Sequence, residues 1–136
     1  MTNFEKVREF HETFGMKVNH EPNPENPLRG EHELRAKLIL EESGEVLEAI
    51  TLSNNINEIT KELVDLLYVV YGTGVTMGVD LDKAFELVHE SNMSKLDDDG
   101  KPIYREDGKV LKSHNYRPPD LTEVTHGRKQ GDRSSE

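Results

Sequence analysis

The sequence predicts an all-α fold, a four-helix bundle closed by a short C-terminal hairpin and an extended segment. Three observations carry this: apolar residues recur at helical spacing in four stretches, residues that cap helices stand ahead of two of them, and proline, asparagine and glycine collect between them. The first helix starts at Thr2, which with Glu5 forms a capping box, and runs through Phe4, Val7, Phe10, His11 and Phe14 to Gly15. Asn19 to Gly30 holds three prolines, three asparagines and a glycine, so it is an exposed connection. A long helix follows from about residue 31 to 52, and a third runs from about residue 58 to 72 or beyond, after the SNNIN break. Asp80 caps a fourth, whose Leu81, Ala84, Phe85 and Val88 recur up to about Asn92. Beyond Lys95, Asp107-Gly108 between two short apolar runs signals a two-residue hairpin turn, and Pro118-Pro119 an extended stretch. The organisation expected is one domain over residues 1–121 and a disordered tail over 122–136, where almost nothing is apolar.

A length of 136 residues supports one core without staples. There are 27 acidic against 17 basic side chains, a net charge of −10, which disfavours a nucleic-acid module held to phosphates by its own basic surface. An anionic ligand would need bridging cations. The absence of cysteine excludes thiol catalysis, disulfides and cysteine-bound zinc. The charged amino terminus does not read as a secretory signal, and the longest uncharged run, Leu66 to Val79, is 14 residues against roughly 20 needed to cross a bilayer. A cytoplasmic protein with no membrane partner is expected.

The chemistry lies in the acidic residues of the two central helices. On a wheel of about 100° per residue with Leu34 at zero, Glu41, Glu42 and Glu45 fall within about 80° of it, on a face shared with Leu38 and Ala49 that is expected to be buried. In the third helix Leu63, Leu66, Leu67 and Val70 read as a core stripe, with Glu62 and Asp65 on its flank beside Val69. A short break between the helices implies antiparallel packing, which brings both acidic patches together. Ionised carboxylates in such a place are costly until neutralised, and a hard divalent cation with oxygen ligands does so. A solvated acidic surface is the alternative; against it, Glu42, Glu45 and Glu62 lack a basic residue at i+4.

The run Glu41-Glu42-Ser43-Gly44-Glu45, sixteen intervening residues, then Glu62-Leu63-Val64-Asp65, resembles the EExxE and ExxD signature of the all-α nucleoside triphosphate pyrophosphohydrolases, the MazG-like superfamily that includes phosphoribosyl-ATP pyrophosphohydrolases and dimeric dUTPases. SNMSK at 91–95 and DGKVLK at 107–112 extend the resemblance. It implies a metal-dependent (deoxy)nucleoside triphosphate pyrophosphohydrolase that yields a monophosphate and pyrophosphate with Mg²⁺, or Mn²⁺ in its place. The base, of dUTP, dCTP or dGTP type, is left open. Carried over, Glu42, Glu45, Glu62 and Asp65 are the metal ligands, and Glu41 a further ligand or the base that orients water. Lys95, Lys109 and Lys112, with Asn92 and Tyr116, are candidates for the substrate phosphates. Phe10, His11 and Phe14 are candidates for the base, with core packing the favoured role for both phenylalanines. Alternatives are a phosphoribosyl-ATP pyrophosphohydrolase of histidine synthesis and a non-catalytic helical module that takes up a divalent ion.

Other signals fail their context. The six histidines show no metal-ligand spacing, and most read as surface residues. A calcium loop starting at Asp97 would place Gly108 where a bidentate Glu is needed. Gly72, Gly74 and Gly78 do not complete a dinucleotide fingerprint and read as close packing. The central helices carry more apolar faces than one subunit can cover, Leu40, Leu47, Val64, Tyr68 and Tyr71 among them, so self-association as a dimer or tetramer is expected.

Overall fold

The computed structural model describes residues 1–127. Its order is α1 (Asn3–Phe14), α2 (His32–Leu52), α3 (Ile56–Met77), α4 (Leu81–Met93), β1 (Ile103–Tyr104), β2 (Val110–Leu111) and α5 (Thr122–Thr125). The four long helices stand where periodicity placed them. Thr2 and Glu5 form the reciprocal capping box, Gly15 ends α1 in the left-handed conformation, and Asn55 and Asp80 cap α3 and α4 through their side chains.

α2 and α3 form the main helix pair, and α1 lies against α3. The core under α1 is small: Phe4, Val7 and Val75, with Val18 and Tyr71 against them. Asp82 ties α4 to this corner by accepting from the Phe4 amide at 3.1 Å and the Tyr71 hydroxyl at 2.7 Å. At the end of α3 the chain turns sharply, and α4 leaves at 108°. Gly78 makes that turn with φ 71°, and a Cβ there would sit 2.6 Å from the Glu21 carbonyl, so only glycine fits. The 19–30 connection is tied down where it passes, its Asn19 amide donating to Val75 and the Arg29 side chain reaching Asn19 and Glu21. No single described helix is long and apolar enough to cross a membrane; α3 and α4 reach that length only together, across their bend.

Three sequence expectations are corrected. The hairpin pairs Ile103 with Leu111 and Tyr104 with Val110, but its loop is Glu106-Asp107-Gly108. Arg105 and Lys109 extend the ladder, and Gly108 at φ 88° closes a three-residue turn. The tail expected from Thr122 begins instead with a helical turn. Its Val124 is buried with Val79 and Ala84, flanked by Met77, Leu81, Leu87 and Leu121, because one well-placed apolar side chain suffices to seat a short turn. The remainder of that expected tail, 128–136, lies outside the described residues. Finally, the expected stripe on α3 is largely open to solvent in this chain: Leu63, Leu67 and Val70 are exposed. Glu62, Asp65, Val69, Gly72 and Thr73 share the face turned to α2, and the leucines lie about a third of a turn around the helix from it.

Candidate metal centre

The face by which α2 meets α3 is set by Arg35, Val46 and Ala49, its buried residues. On the same wheel these fall at about 60° to 120°, so the buried face is rotated away from Leu34, which is 46% exposed. The rotation puts Glu42 at the centre of the contact and Glu45 at its edge. Glu41 is swung out to the exposed surface, apart from the other acids. From the facing helix come Glu62 and Asp65.

The outcome is a quartet. Glu42, Glu45, Glu62 and Asp65 each offer an oxygen within 4.8 Å of all the others. One oxygen of Glu42 and one of Glu62, both Oε2, are shut off from solvent without a hydrogen-bond donor. A buried acceptor with no donor is an expensive arrangement, and four crowded carboxylates add mutual repulsion. The Glu62 pKa is pushed up, first by the neighbouring Glu45 carboxyl and then by loss of solvent, against the opposing pull of Lys61. Hard divalent cations bind carboxylate oxygens at about 2.0–2.6 Å, so oxygens this close together suit such an ion, and an ion would satisfy both orphaned atoms. The donor set is all oxygen, the choice of Mg²⁺, Mn²⁺ or Ca²⁺ over softer metals.

Two residues of the site escaped the sequence reading. Lys61 Nζ stands 2.7 Å from Asp65 and 3.5 Å from Glu62, a cationic neighbour to the quartet, found by looking backward along the helix where i+4 scanning looks only forward. Arg35 is buried at 3% exposure, its Nε donating to Thr73 Oγ1 at 3.2 Å and its Nη2 to the Val69 carbonyl at 3.0 Å. Its signal in the sequence was its wheel position, midway between Val46 and Ala49.

The other candidates are placed elsewhere. Asn92 is exposed near the end of α4, Lys95 is half-buried just after it, Lys109 and Lys112 lie on the exposed hairpin, and Lys112 stacks its ammonium 4.5 Å from the Tyr116 ring centre. Among the described residues no hydrogen bond or ion pair joins any of them to the quartet. This segment is fastened to α4 instead, Ser91 donating to the Arg117 carbonyl and Arg117 to Ser94. The base candidates divide. Phe10 stacks at 4.4 Å on Phe14 and edge-on to Tyr68, and Phe14 is 67% exposed, against the expectation that it packs in the core. His11 is 2% exposed and so does not present its ring to a base; α1 turns it inward against Arg35 and Gly72, with Nδ1 3.0 Å from the Lys17 carbonyl. Beside the aromatic group a cleft of about 330 Å³ opens between α1 and α3, lined by Lys6, Val7, Val64, Leu67, Tyr68 and Tyr71 among others.

Residues 7–92 match the phosphoribosyl-ATP pyrophosphohydrolase family, a span that takes in α2, α3 and the whole quartet. The chain belongs to that family. It is also 36% identical over 116 residues to an uncharacterised protein of Acanthamoeba polyphaga mimivirus, an alignment covering 82% of this chain. The chain spans only 43% of the length of that relative. The family match ends at Asn92, so the hairpin and its lysines lie beyond the part that family membership describes.

Proposed function

We propose that this family member is a divalent-metal-dependent pyrophosphohydrolase that cleaves the α–β phosphoanhydride of a nucleoside or deoxynucleoside triphosphate, releasing a monophosphate and pyrophosphate. The observation that carries the reading is the carboxylate quartet with its two donorless buried oxygens. Family membership supports the same chemistry.

Glu42, Glu45, Glu62 and Asp65 would hold the cation, Mg²⁺ or Mn²⁺. When bound, it neutralises polyphosphate charge and polarises phosphorus. The residues themselves fix the place of reaction: without a cation, four carboxylates repel a triphosphate, so substrate enters only with metal. Lys61 holds Asp65 and Glu62 in position from the solvent side. Glu41, on the outer surface of α2 and apart from the quartet, is not placed to orient water there. The leucines of α3 and the outer residues Leu40 and Leu47 of α2 support a bundle completed by a second copy. In such an assembly Lys95, Lys109, Lys112, Asn92 and Tyr116 serve the phosphates at the partner's quartet.

The family's own description favours a second reading, phosphoribosyl-ATP as substrate. One experiment decides between them: pyrophosphate release from a panel of ribo- and deoxynucleoside triphosphates and phosphoribosyl-ATP, with Mg²⁺, Mn²⁺ or chelator, beside Glu62→Gln. Metal-dependent release from one triphosphate, lost in the variant, supports the first reading. Release from phosphoribosyl-ATP alone supports the second. Release from none by a folded protein leaves an ion-binding helical module.

A further inference from the structure

The chemistry above makes no use of Arg35, the most deeply buried charge among the described residues. Its guanidinium ties α2 to α3 at two points, the Thr73 hydroxyl and the Val69 carbonyl, and the Thr73 hydroxyl itself donates to that carbonyl at 2.9 Å. Glycine at 72 makes room for it, since a Cβ there would stand 2.6 Å from Nη2. Arginine's planar fork makes this a directional tie, whereas the apolar contacts of Val46 and Ala49 are indifferent to small slides.

The position of the tie matters more than its strength. Facing residues advance along α2 as they recede along α3: Arg35 meets 69 and 73, and Glu42 and Glu45 meet 65 and 62. Arg35 is two turns before Glu42, about 10 Å along the axis. Val69 is one turn past Asp65. Sliding one helix by a single turn, about 5.4 Å, exceeds the 4.8 Å within which the four ligand oxygens gather, and would break both the tie and the quartet.

We propose that Arg35 is the positioning residue of the carboxylate site, its forked bond to Val69 and Thr73 holding the α2–α3 register in which Glu42, Glu45, Glu62 and Asp65 converge. The inference rests on the reading of that quartet as a metal site. It gives the buried cation a task that stability alone would not require, since an apolar side chain of similar volume also fills a core.

The test is Mn²⁺ affinity of the full-length, metal-free chain, measured by electron paramagnetic resonance, beside urea unfolding, for wild type, Arg35→Lys, Arg35→Met and Thr73→Val. The expected result is Mn²⁺ binding weakened on the order of tenfold or more in Arg35→Met, the size seen when groups that orient metal ligands are removed. Arg35→Lys, which keeps the charge without the fork, fails to restore it, and Thr73→Val gives a smaller loss, all in protein still folded. Thr73→Val and Arg35→Lys decide the matter if Arg35→Met does not fold. Folded variants that bind Mn²⁺ within about two-fold of wild type overturn the positioning role and leave the metal site standing. Wild type that binds no Mn²⁺ overturns both.

Discussion

Gly72→Ala puts the packing at the α1–α2–α3 junction to a direct test. An added Cβ would lie 2.6 Å from Arg35 Nη2 and 2.8 Å from His11 Nε2. Both atoms are ends of side chains, but neither is free to retreat: Arg35 is held by Thr73 and Val69, and His11 by the Lys17 carbonyl. Forcing a methyl into a filled space costs about 1–3 kcal/mol. Dislodging the charged hydrogen bond adds about 1.5–3 kcal/mol, and alanine's better helix propensity returns about 1 kcal/mol. The net expectation is a loss of about 1.5–5 kcal/mol. Gly44→Ala is the matched control, because it sits inside α2 with nothing within 4 Å of its Cβ position, and it should gain about 0.5–1 kcal/mol. Urea unfolding followed by circular dichroism, at one fixed protein concentration, measures both. If Gly72→Ala is as stable as wild type while Gly44→Ala rises, the junction is not packed as described.

Further outcomes follow from the same structure. Burial, and secondarily the nearby Arg35 charge, hold the His11 pKa below its usual 6.5 despite the Lys17 carbonyl, so the unfolded chain binds this proton more readily. Stability contributed by neutral His11 is complete above about pH 6.5 and is lost as pH falls toward the lowered folded value, with a slope of at most about 1.4 kcal/mol per pH unit; His11→Gln should flatten that slope in urea titrations between pH 5 and 7. Mn²⁺ or Mg²⁺ should raise the melting temperature of wild type, by the equivalent of about 2.7 kcal/mol at a hundred times its Kd, and leave Glu62→Gln unmoved, whereas equal shifts in both would place the ion elsewhere. In the metal-free state Glu62→Gln should melt no lower than wild type, because it removes one of four crowded charges. Leu67→Glu, on the open stripe of α3, should keep its helical circular dichroism and sediment as a smaller species; unchanged sedimentation would remove this stripe from the interface.

The helices and the meeting of EExxE with ExxD were legible because both depend on short-range spacing: the capping box at Thr2, the breaks at 19–30 and 53–55, and carboxylates three and four residues apart. What spacing could not supply was rotation. A wheel shows that Leu63, Leu66, Leu67 and Val70 share a face, but not that α2 would choose the neighbouring face, where glycine at 72 lets a guanidinium in. Arg35 was hidden because a charged residue in an apolar arc reads as an interruption, and only its distant acceptors on α3 make it a core residue. Val124 was lost in a polar run, since its burial depends on Val79 and Ala84, some forty residues away.

α3 divides along its length. Its last turns, with Gly72, Gly74, Val75 and Thr76, are buried against α1, α2 and the 19–30 connection, whereas its first turns carry Glu62, Asp65 and the open leucines. Amide hydrogens at the far end should therefore exchange slowest in the chain and those near Ile56 among the fastest. Substitutions can accumulate on the outer leucines and valines, reshaping what surrounds the acids, without loosening the buried half that keeps the helix in place.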